Sequence, residues 1–347
     1  MPMTIANPWR GRGLDLDAAF PRDDPADVAR LLKLCPAHNP TPLIDCEDLA
    51  RHIGIAAIFV KDERARMGLG SFKALGAAHA IAREADAKAP QHRVSALDGR
   101  TFVTASAGNH GLSVAAGARA FGARAVVYLA KTVPEAFAHR LASGGAEVVR
   151  TGETYEESMA AALAAATDHG WTLLSDSSWP GYGSMPLLVM EGYLQLAVEA
   201  ADELTRPPTH ILLQAGVGGL AAAVAAFARR RWGDVPQIIV VEPEAAPALF
   251  ESISRGRIVT AKGPVSSMGR LDCKTPSLIA LKGLSRDADL FATISESEAK
   301  RAMPVLSEHG LATTPSGGAG LAALLAGLSL PTDARVLAIL SEEPSSA

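Results

Sequence analysis

Little in this sequence points to a polyanion, a membrane or an export signal. The 33 basic and 37 acidic residues give a formal net charge of -4 over 347 residues, so no global positive field attracts nucleic acid. The longest clean apolar run, 220–228, is far shorter than the ~20 residues of a membrane helix. The opening MPMTIANPWRGRG has no apolar core, unlike a signal peptide. We expect a soluble, unexported, cytoplasmic protein.

Cysteine and metal-ligand patterns are also scarce. Cys35, Cys46 and Cys273 form no C-x-x-C pair, and an odd, sparse set suits a reducing compartment better than a disulfide framework. None of the 9 histidines belongs to an H-E-x-x-H or comparable pair, so no metal site is expected. The sequence has no G-x-S-x-G turn, which argues against an α/β-hydrolase.

What the sequence does contain is an alternation of β-branched runs with Ala- and Leu-rich segments. Such an alternation is typical of βαβ units and predicts an α/β fold with a mainly parallel sheet. Helices are expected from about residues 71, 109 and 134. The predicted strands are 58–63, 102–106, 125–130, 147–152, 172–176, 210–216, 238–243, 291–295 and 336–341.

Lys73 stands near the start of a predicted helix in GLGSFKALGAAHA, residues 68–80. Its neighbours on that helix face are small or apolar, and the positive end of the helix dipole disfavours an ammonium. We therefore expect an amine with a lowered pKa, suited to Schiff-base chemistry. The alternative is a lysine whose charged end reaches solvent.

Two turns from strand to helix are rich in small residues. In TASAGNHGLSVAAGARAFGA, 104–123, free N–H groups at the helix start would bind a carboxylate or phosphate. Asn109 and His110 also have plainer interpretations, as a helix cap and a packed core residue. In HILLQAGVGGLAAAVAAFA, 210–228, the glycines let the backbone close on a phosphate. Position 221 is Ala and Glu242 is the nearest acid, so this turn favours a small phosphate over a dinucleotide.

Asp176 and Ser341 each come at the end of a predicted strand. Ligands of α/β proteins bind beyond the carboxyl ends of the strands, so both side chains are candidates for a site. Asp176 has an equally simple interpretation as a turn residue that caps Ser177 and Ser178.

The order of these motifs resembles the fold type II family of pyridoxal-phosphate enzymes, with a lysine near a helix start, S-x-G-N-H-G, a glycine loop and a C-terminal serine. A closer similarity, from about residue 40 to 341, is to diaminopropionate ammonia-lyases. It lies in PTPLIDCEDLA (40–50), VKDE (60–63), GLGSFKALG (68–76), DSSWPGY (176–182), the loop GVGGL, VEPEAAPALFESISRGR (241–257) and LDCKTPS (271–277).

The resemblance implies a tryptophan synthase β-like α/β fold with two domains, each with a parallel-rich twisted sheet covered by helices. Residues 1–97 plus 176–347 would form a large domain that binds pyridoxal 5'-phosphate, and residues 98–175 a small inserted domain. The cofactor would lie in the cleft between them. The family also implies a homodimer, acting on a small amino acid in amino-acid catabolism.

The resemblance assigns a role to each candidate residue. Lys73 would bind the cofactor covalently, Asn109 would hydrogen-bond its ring oxygen, and Ser341 would face its pyridine nitrogen. Its phosphate would be wrapped by Gly216, Val217, Gly218, Gly219 and Leu220. The substrate carboxylate would meet the N–H groups of Ser106, Ala107, Gly108, Asn109 and His110, with Asp272 as a further substrate-binding candidate. Lys73 and Asp176 would be the catalytic proton carriers.

The implied reaction is β-elimination of an amino acid to a 2-oxo acid and ammonia, for 2,3-diaminopropionate giving pyruvate and two ammonia. Ala107 stands where these lyases usually have Asp, and residues 313–315 hold no acid where the family tends to have one. These departures favour a neutral or acidic β-substituent over a diamine. The alternative is a dehydratase of serine, threonine or hydroxyaspartate. Two further hypotheses are a nicotinamide oxidoreductase that uses the glycine loop and a catalytically silent protein that binds pyridoxal phosphate.

Overall fold

A computed structural model of the protein describes residues 1–89 and 93–344. Its strands are β1 (Met3–Ala6), β2 (Leu43–Asp45), β3 (Ala57–Asp62), β4 (Thr101–Ala105), β5 (Arg124–Leu129), β6 (Glu147–Arg150), β7 (Thr172–Leu173), β8 (His210–Gln214), β9 (Gln237–Pro243), β10 (Leu290–Ile294) and β11 (Arg335–Leu340). Its helices are α1 (Val28–Leu32), α2 (Glu47–Ile53), α3 (Lys73–Lys88), α4 (Asn109–Ala120), α5 (Glu135–Ser143), α6 (Tyr155–His169), α7 (Ser184–Gly192), α8 (Leu194–Glu203), α9 (Gly219–Trp232), α10 (Ala248–Arg255), α11 (Leu278–Asp287), α12 (Glu296–Glu308) and α13 (Ala319–Leu325).

The strands predicted from apolar runs correspond to β3 through β11. The helices expected from about residues 71, 109 and 134 begin at Lys73, Asn109 and Glu135. All of these strands except β9 end one to three residues earlier than predicted. In particular, Asp176 and Gly216 belong to the turns that follow β7 and β8. Within the described ranges, no helix is long and apolar enough to cross a membrane.

The larger sheet has seven strands in the order β1-β10-β9-β8-β11-β3-β2. Its five inner strands are parallel, and the edge strands β1 and β2 pair antiparallel with β10 and β3. The inner strands are almost wholly buried, as expected for a parallel sheet that is covered on both faces. The strand β1 was not predicted, because MTIA is short and its pattern is mostly exposed.

The smaller sheet has four parallel strands in the order β6-β5-β4-β7. All of them come from residues 101–173, inside the segment 98–175 that we propose as the inserted domain. The two sheets give the α/β architecture with parallel-rich sheets that the sequence predicts.

Helix α3, which begins with Lys73, packs against α4 of the smaller sheet and against α7. These helices approach closely where glycine replaces a larger side chain. A Cβ at Gly117 of α4 would lie 2.8 Å from Ile81, and a Cβ at Gly76 of α3 would lie 2.7 Å from Tyr193 and Val189. Real Cβ atoms do not approach other atoms so closely, so a side chain at either position would displace its neighbours. At Gly76 the displaced atoms would include the ring of the buried Tyr193, whereas at Gly117 only the end of Ile81 would have to move.

A buried cluster of charged side chains lies at the start of the segment between β3 and α3. Arg66 Nη2 lies 2.7 Å from Glu63 Oε1 and 2.6 Å from Glu199 Oε2. Lys61 Nζ lies 2.7 Å from the same Glu199 oxygen. Burial alone would raise the pKa of Glu199, but the hydrogen bonds and charges of Arg66 and Lys61 outweigh it and lower the pKa to about 2. The cluster fixes the first part of the segment that leads to Lys73.

We expect Glu199→Ala to lower the free energy of unfolding by about 3 kcal/mol or more, because it leaves two buried cations without their shared carboxylate. Urea denaturation followed by circular dichroism measures the change. Since the pKa of Glu199 is lowered from 4.5 to about 2, its contribution is complete above pH 4.5 and is lost as the pH falls toward 2.

The matched control is Glu203→Ala, at the exposed end of the same helix α8. This change should stay within about 0.5 kcal/mol of the parent protein. Equal unfolding midpoints for the two variants would show that the buried cluster contributes no net stability.

Candidate active site

Lys73 is placed by a tight segment that runs from β3 to α3. The chain turns at Met67 and Gly70, whose φ angles are 52° and 73°, a region that favours glycine. The segment is attached to the end of the interior strand β11, because the N–H of Phe72 donates to the carbonyl of Ser341 at 3.1 Å. Lys73 therefore lies beyond the carboxyl ends of the parallel strands, where ligands bind in such sheets.

The ammonium of Lys73 contacts the carboxylate of Asp176, which follows β7. Burial favours a neutral Lys73, but the charge of Asp176 outweighs it, so the pKa of Lys73 is raised. Burial likewise favours a protonated Asp176, but the charge of Lys73 outweighs it and holds that pKa below its usual range. The expectation of a lowered Lys73 pKa is wrong, because the helix-dipole argument did not include the neighbouring carboxylate.

This contact defines where a proton is held in the site. Only a neutral amine attacks a carbonyl carbon, so the ammonium of Lys73 has to lose a proton before it reacts. Asp176 is the group in direct contact with that nitrogen. The pair can therefore move a proton between Nζ and a carboxylate oxygen without an intermediate group.

The DSSWPGY segment forms the turn that presents Asp176. The rings of Trp179 and Tyr182 stack with centroids 4.4 Å apart, and the Tyr182 hydroxyl donates to the carbonyl of Leu173 at 2.8 Å. The hydroxyl of Ser178 lies 2.8 Å from that of Ser277, before α11. These contacts stabilise the turn and do not involve the side chain of Asp176, which is directed to Lys73. The capping interpretation of Asp176 is therefore wrong.

The S-A-G-N-H-G turn joins β4 to α4. Asn109 is the first residue of α4 and not its cap, since Gly108 precedes the helix. The Asn109 amide donates to Glu342 Oε2 at 2.6 Å. A Cβ at Gly111 would lie 2.6 Å from the carbonyl oxygen of Ser106, so only glycine permits the tight turn. The turn exposes the start of a twelve-residue helix beside the Lys73 site.

His110 matches its plainer interpretation as a packed core residue. Its Nε2 atom lies 2.8 Å from the carbonyl oxygen of Leu174, and within the part of the chain that the structure describes its Nδ1 atom has no hydrogen-bond partner. Burial lowers the pKa of His110. The lowered pKa favours the neutral imidazole.

The glycine loop after β8 leads into the N-terminus of α9. Gly218 adopts a φ of 94°, and among the described side chains none caps the helix. A Cβ at Gly216 would lie 3.0 Å from the carbonyl oxygen of Arg270 and 3.1 Å from Leu271 Cα. A Cβ at Gly219 would lie 3.9 Å from the backbone oxygen of Asp176. The loop thus opens a helix N-terminus beside the Lys73 and Asp176 pair, as an anion site requires.

Val217 and Leu220 lie in the same loop, whose backbone is held because the Ser277 N–H donates to the Val217 carbonyl at 2.9 Å. Ser341 is buried at the end of β11, and its N–H donates to Gly317 at 3.1 Å. The structure thus brings Ser341 to the Lys73 segment through the backbone. The role of its hydroxyl stays a prediction.

Asp272 is engaged in contacts of a different kind. Its carboxylate lies 2.6 Å from Lys274 Nζ and accepts the N–H of Ser266 at 3.1 Å. Both contacts stabilise the loop in which Asp272 lies. No contact joins Asp272 to Lys73 or Asp176 within the described chain, so its role in substrate binding stays a prediction.

Glu242, the acid considered for a dinucleotide ribose, is wholly buried. Its two carboxylate oxygens accept the N–H groups of Leu249 and Phe250 at 2.8 and 2.7 Å, and burial raises its pKa to about 8. Glu242 therefore accepts hydrogen bonds from the free N–H groups at the start of α10 and is not directed toward the glycine loop. This arrangement removes the residue on which a nicotinamide oxidoreductase would depend.

The structure adds residues that sequence motifs did not identify. The Tyr193 ring centroid lies 6.0 Å from Lys73 Nζ, and its buried hydroxyl has no partner among the described residues. Cys273 of the LDCKTPS motif also lies near the pair, and burial and then the charge of Asp176 raise its pKa to about 12. Arg270 and Glu342 border a small cavity together with Asn109. Tyr193 lies between α7 and α8. A single tyrosine at such a position belongs to no motif, so the sequence alone does not identify it.

Comparison with known proteins agrees with this geometry. The pyridoxal-phosphate dependent enzyme family matches residues 34–342. The chain belongs to this family. A diaminopropionate ammonia-lyase of Escherichia coli (strain K12) is 33% identical over 338 residues, which cover 88% of this chain and 84% of the relative. A serine dehydratase-like protein of Rattus norvegicus is 29% identical and covers 89% of each chain.

Solved structures give the same result. A crystal structure of the Escherichia coli diaminopropionate ammonia-lyase in complex with D-serine has a TM-score of 0.87 at 31% identity, covering 99% of this chain and 94% of that one. The predicted fold type II architecture and the predicted membership of the pyridoxal-phosphate ammonia-lyases are confirmed.

The residues of this chain fit pyridoxal phosphate. Lys73 supplies a primary amine at the carboxyl ends of the strands. The glycine loop supplies a close backbone approach and an uncapped helix N-terminus among the described elements. The Asn109 amide supplies a second N–H besides the one that is directed to Glu342. An amine, an anion cradle and a donor are the groups that an aldehyde, a phosphate and a ring oxygen require.

We expect Gly216→Ala to raise the dissociation constant for pyridoxal phosphate at least about tenfold, or 1.4 kcal/mol. The added methyl would meet backbone atoms of Arg270 and Leu271 at 3.0 and 3.1 Å, and backbone cannot move aside as a side chain can. Titration of the apoenzyme with the cofactor, followed by absorbance, measures the constant.

Gly269→Ala is the matched control, because a Cβ at that position meets nothing within 4 Å. It should leave the constant within about twofold, a fraction of 1 kcal/mol. If both alanine variants bind the cofactor as the parent does, the loop does not require glycine at 216.

We expect borohydride to fix pyridoxal phosphate on Lys73, because this is the amine in contact with a proton acceptor at the site. Mass spectrometry of the peptides should find the adduct there and nowhere else. Lys73→Ala should give no adduct, whereas Lys88→Ala, at the exposed far end of α3, should be labelled as the parent. Labelling at another lysine would refute the assignment.

Proposed function

We propose that this pyridoxal-phosphate enzyme eliminates the β-substituent of an amino acid, giving a 2-oxo acid and ammonia. For 2,3-diaminopropionate the reaction with one water gives pyruvate and two ammonia. The observation that carries the proposal is the contact between Lys73 and Asp176, beside the glycine loop and the S-A-G-N-H-G turn. The relatives named diaminopropionate ammonia-lyase support the same reaction.

Lys73 would hold the cofactor through its amine, and the backbone of residues 216–220 would hold the phosphate at the start of α9. Asn109 would donate to the ring oxygen, and Ser341 would face the pyridine nitrogen. When bound, pyridoxal phosphate withdraws electrons from the carbon that bears the amino group, which makes its proton acidic.

Lys73 and Asp176 would divide the proton transfers of the reaction. Once the substrate amine replaces Lys73, the freed Nζ atom is the base that would take the proton from the α-carbon. Asp176 contacts that nitrogen and would return a proton to the departing β-substituent, which leaves more readily when protonated. The raised pKa of Lys73 and the lowered pKa of Asp176 keep the proton on Nζ while the two groups face each other. Lys73 would therefore act as the base only after it has passed that proton to Asp176, which would then hold the proton that the leaving group needs.

The substrate carboxylate would bind at the turn of residues 106–110. Ala107 supplies no acid at this turn, and His110 is directed to Leu174. A base acting from the Ala107 side is therefore missing, which favours one substrate enantiomer over the other.

A β-hydroxy amino acid is the second candidate substrate. Ala107 and the relative named serine dehydratase-like favour it, because a leaving hydroxyl needs one proton donor and no additional acid to bind a second ammonium. Asp176 is such a donor. We also propose that the protein is a cytoplasmic homodimer with the domain division given above, for which the family resemblance is the support.

The deciding experiment is a panel of substrates assayed on the holoenzyme. Both enantiomers of 2,3-diaminopropionate and of serine, with L-threonine and 3-hydroxyaspartate, would be tested for release of ammonia and of a 2-oxo acid. We expect equal amounts of the two products from a β-hydroxy acid and twice as much ammonia from 2,3-diaminopropionate. Absence of both products from every substrate would refute the proposed function.

We expect Asp176→Asn to lower kcat about 100-fold or more, the usual effect of losing a proton carrier, while the cofactor still binds. Steady-state kinetics and the cofactor absorbance measure the two effects separately. Asp168→Asn, on the exposed side of α6, removes the same charge and should retain parental kcat. A parental kcat for Asp176→Asn would remove Asp176 from the mechanism.

A further inference from the structure

Arg270 lies at the mouth of the candidate site without a hydrogen bond from its guanidinium to any described residue. Its side chain is 39% exposed, and its backbone is fixed because its N–H donates to Ser316 Oγ at 3.1 Å. A Cβ at Gly108 would lie 2.9 Å from Arg270 Nη1. The guanidinium is therefore packed against the turn at which we place the substrate carboxylate.

Glu342 determines how the guanidinium is oriented. Its carboxylate is buried, accepts the Asn109 amide at 2.6 Å and also contacts the Thr314 hydroxyl. It lies 3.6 Å from Arg270 Nε. The Nε edge thus faces a fixed acid, while Nη1 faces Gly108. Residues 313–315 contain no acidic residue, but the carboxylate of Glu342 lies beside them in the structure.

The space at this position suits a small charged group. A cavity of about 30 Å³ is bordered by two arginines and two glutamates, together with smaller residues: Arg140, Arg270, Glu342, Glu343, Gly70, Asn109, Thr314 and Pro344. A site of that size holds one or two waters, or a group of similar size. Both oxygens of Glu342 already accept hydrogen bonds, so the open donors at this cavity are those of Arg270 and of Arg140, which lies 3.5 Å from Glu343. Of the two, Arg270 is the one that lies against Gly108 of the turn.

We propose that Arg270 binds a negatively charged group on the side chain of the amino acid substrate, and that Glu342 positions it. The inference rests on the proposed function and specifies its substrate class, a β-hydroxy amino acid with a second carboxylate. Guanidinium binds carboxylate in a planar, two-point geometry. In the proposed function the α-carboxylate would bind the backbone N–H groups of residues 106–110, which would leave the second carboxylate for Arg270.

For 3-hydroxyaspartate the elimination breaks the bond from the β-carbon to its hydroxyl and the bond from the α-carbon to its hydrogen. The hydroxyl leaves as water with one proton, and hydrolysis of the carbon–nitrogen bond then consumes one water. The net products are oxaloacetate and ammonia, with no oxidant or reductant. The second carboxylate takes no part in bond breaking, so Arg270 acts in binding.

The experiment compares kcat/KM for 3-hydroxyaspartate and L-serine in the parent and in Arg270→Gln. We expect a loss of about 10- to 100-fold for 3-hydroxyaspartate, the usual effect of removing a hydrogen bond between charged groups. We expect less than about a threefold change for L-serine, and Arg270→Lys should recover part of the loss. Arg255→Gln, on the surface of α10, removes the same charge and should change neither value.

A binding measurement tests the inference without turnover. Calorimetric titration of the holoenzyme should show that L-aspartate binds at least about tenfold more tightly than L-alanine, and that Arg270→Gln abolishes the difference. Equal losses for 3-hydroxyaspartate and L-serine would place Arg270 at the α-carboxylate and overturn the inference. Retained discrimination in Arg270→Gln would overturn it as well. The enzyme could turn over 2,3-diaminopropionate and yet bind L-aspartate no more tightly than L-alanine. That result would support the proposed function and refute this inference.

Discussion

The contact between Lys73 and Asp176 is the interaction on which the candidate site depends. Lys73 begins a helix that follows a strand of the seven-stranded sheet, and Asp176 follows the last strand of the four-stranded sheet. One ion pair therefore connects the two sheets at the point where chemistry would occur. Its strength comes from partial burial, which weakens competition from water and makes each charge set the protonation state of the other.

Much of the architecture could be predicted from local sequence. Strands of a buried parallel sheet are continuous apolar runs, so segments such as IIVVEP are recognisable without knowledge of their neighbours. The turns that follow them carry the ligand groups in this class of fold. For that reason the sequence indicated Lys73, Asp176 and the glycine loop as candidates. The order of the motifs along the chain then indicated the family.

The remaining features depend on contacts between residues distant in sequence. The pKa of Lys73 was predicted in the wrong direction, because its governing neighbour lies 103 positions away. Tyr193 and Arg270 have no motif that distinguishes them from ordinary helix and loop residues. Strand β1 forms because it pairs with the edge of β10. Its four residues show no alternating or continuous apolar pattern from which this pairing could be predicted.

The close approach of α3 and α4 through Gly117 has a mechanical consequence. The side chain of Ile81 packs directly on Gly117, and a Cβ at Gly117 would lie 3.7 Å from the carbonyl oxygen of Ala77 in α3. A tilt of the four-stranded sheet is therefore transmitted to the helix whose first residue is Lys73. Any displacement of α4 would therefore also move the reactive nitrogen of Lys73, because that nitrogen belongs to the helix on which α4 packs.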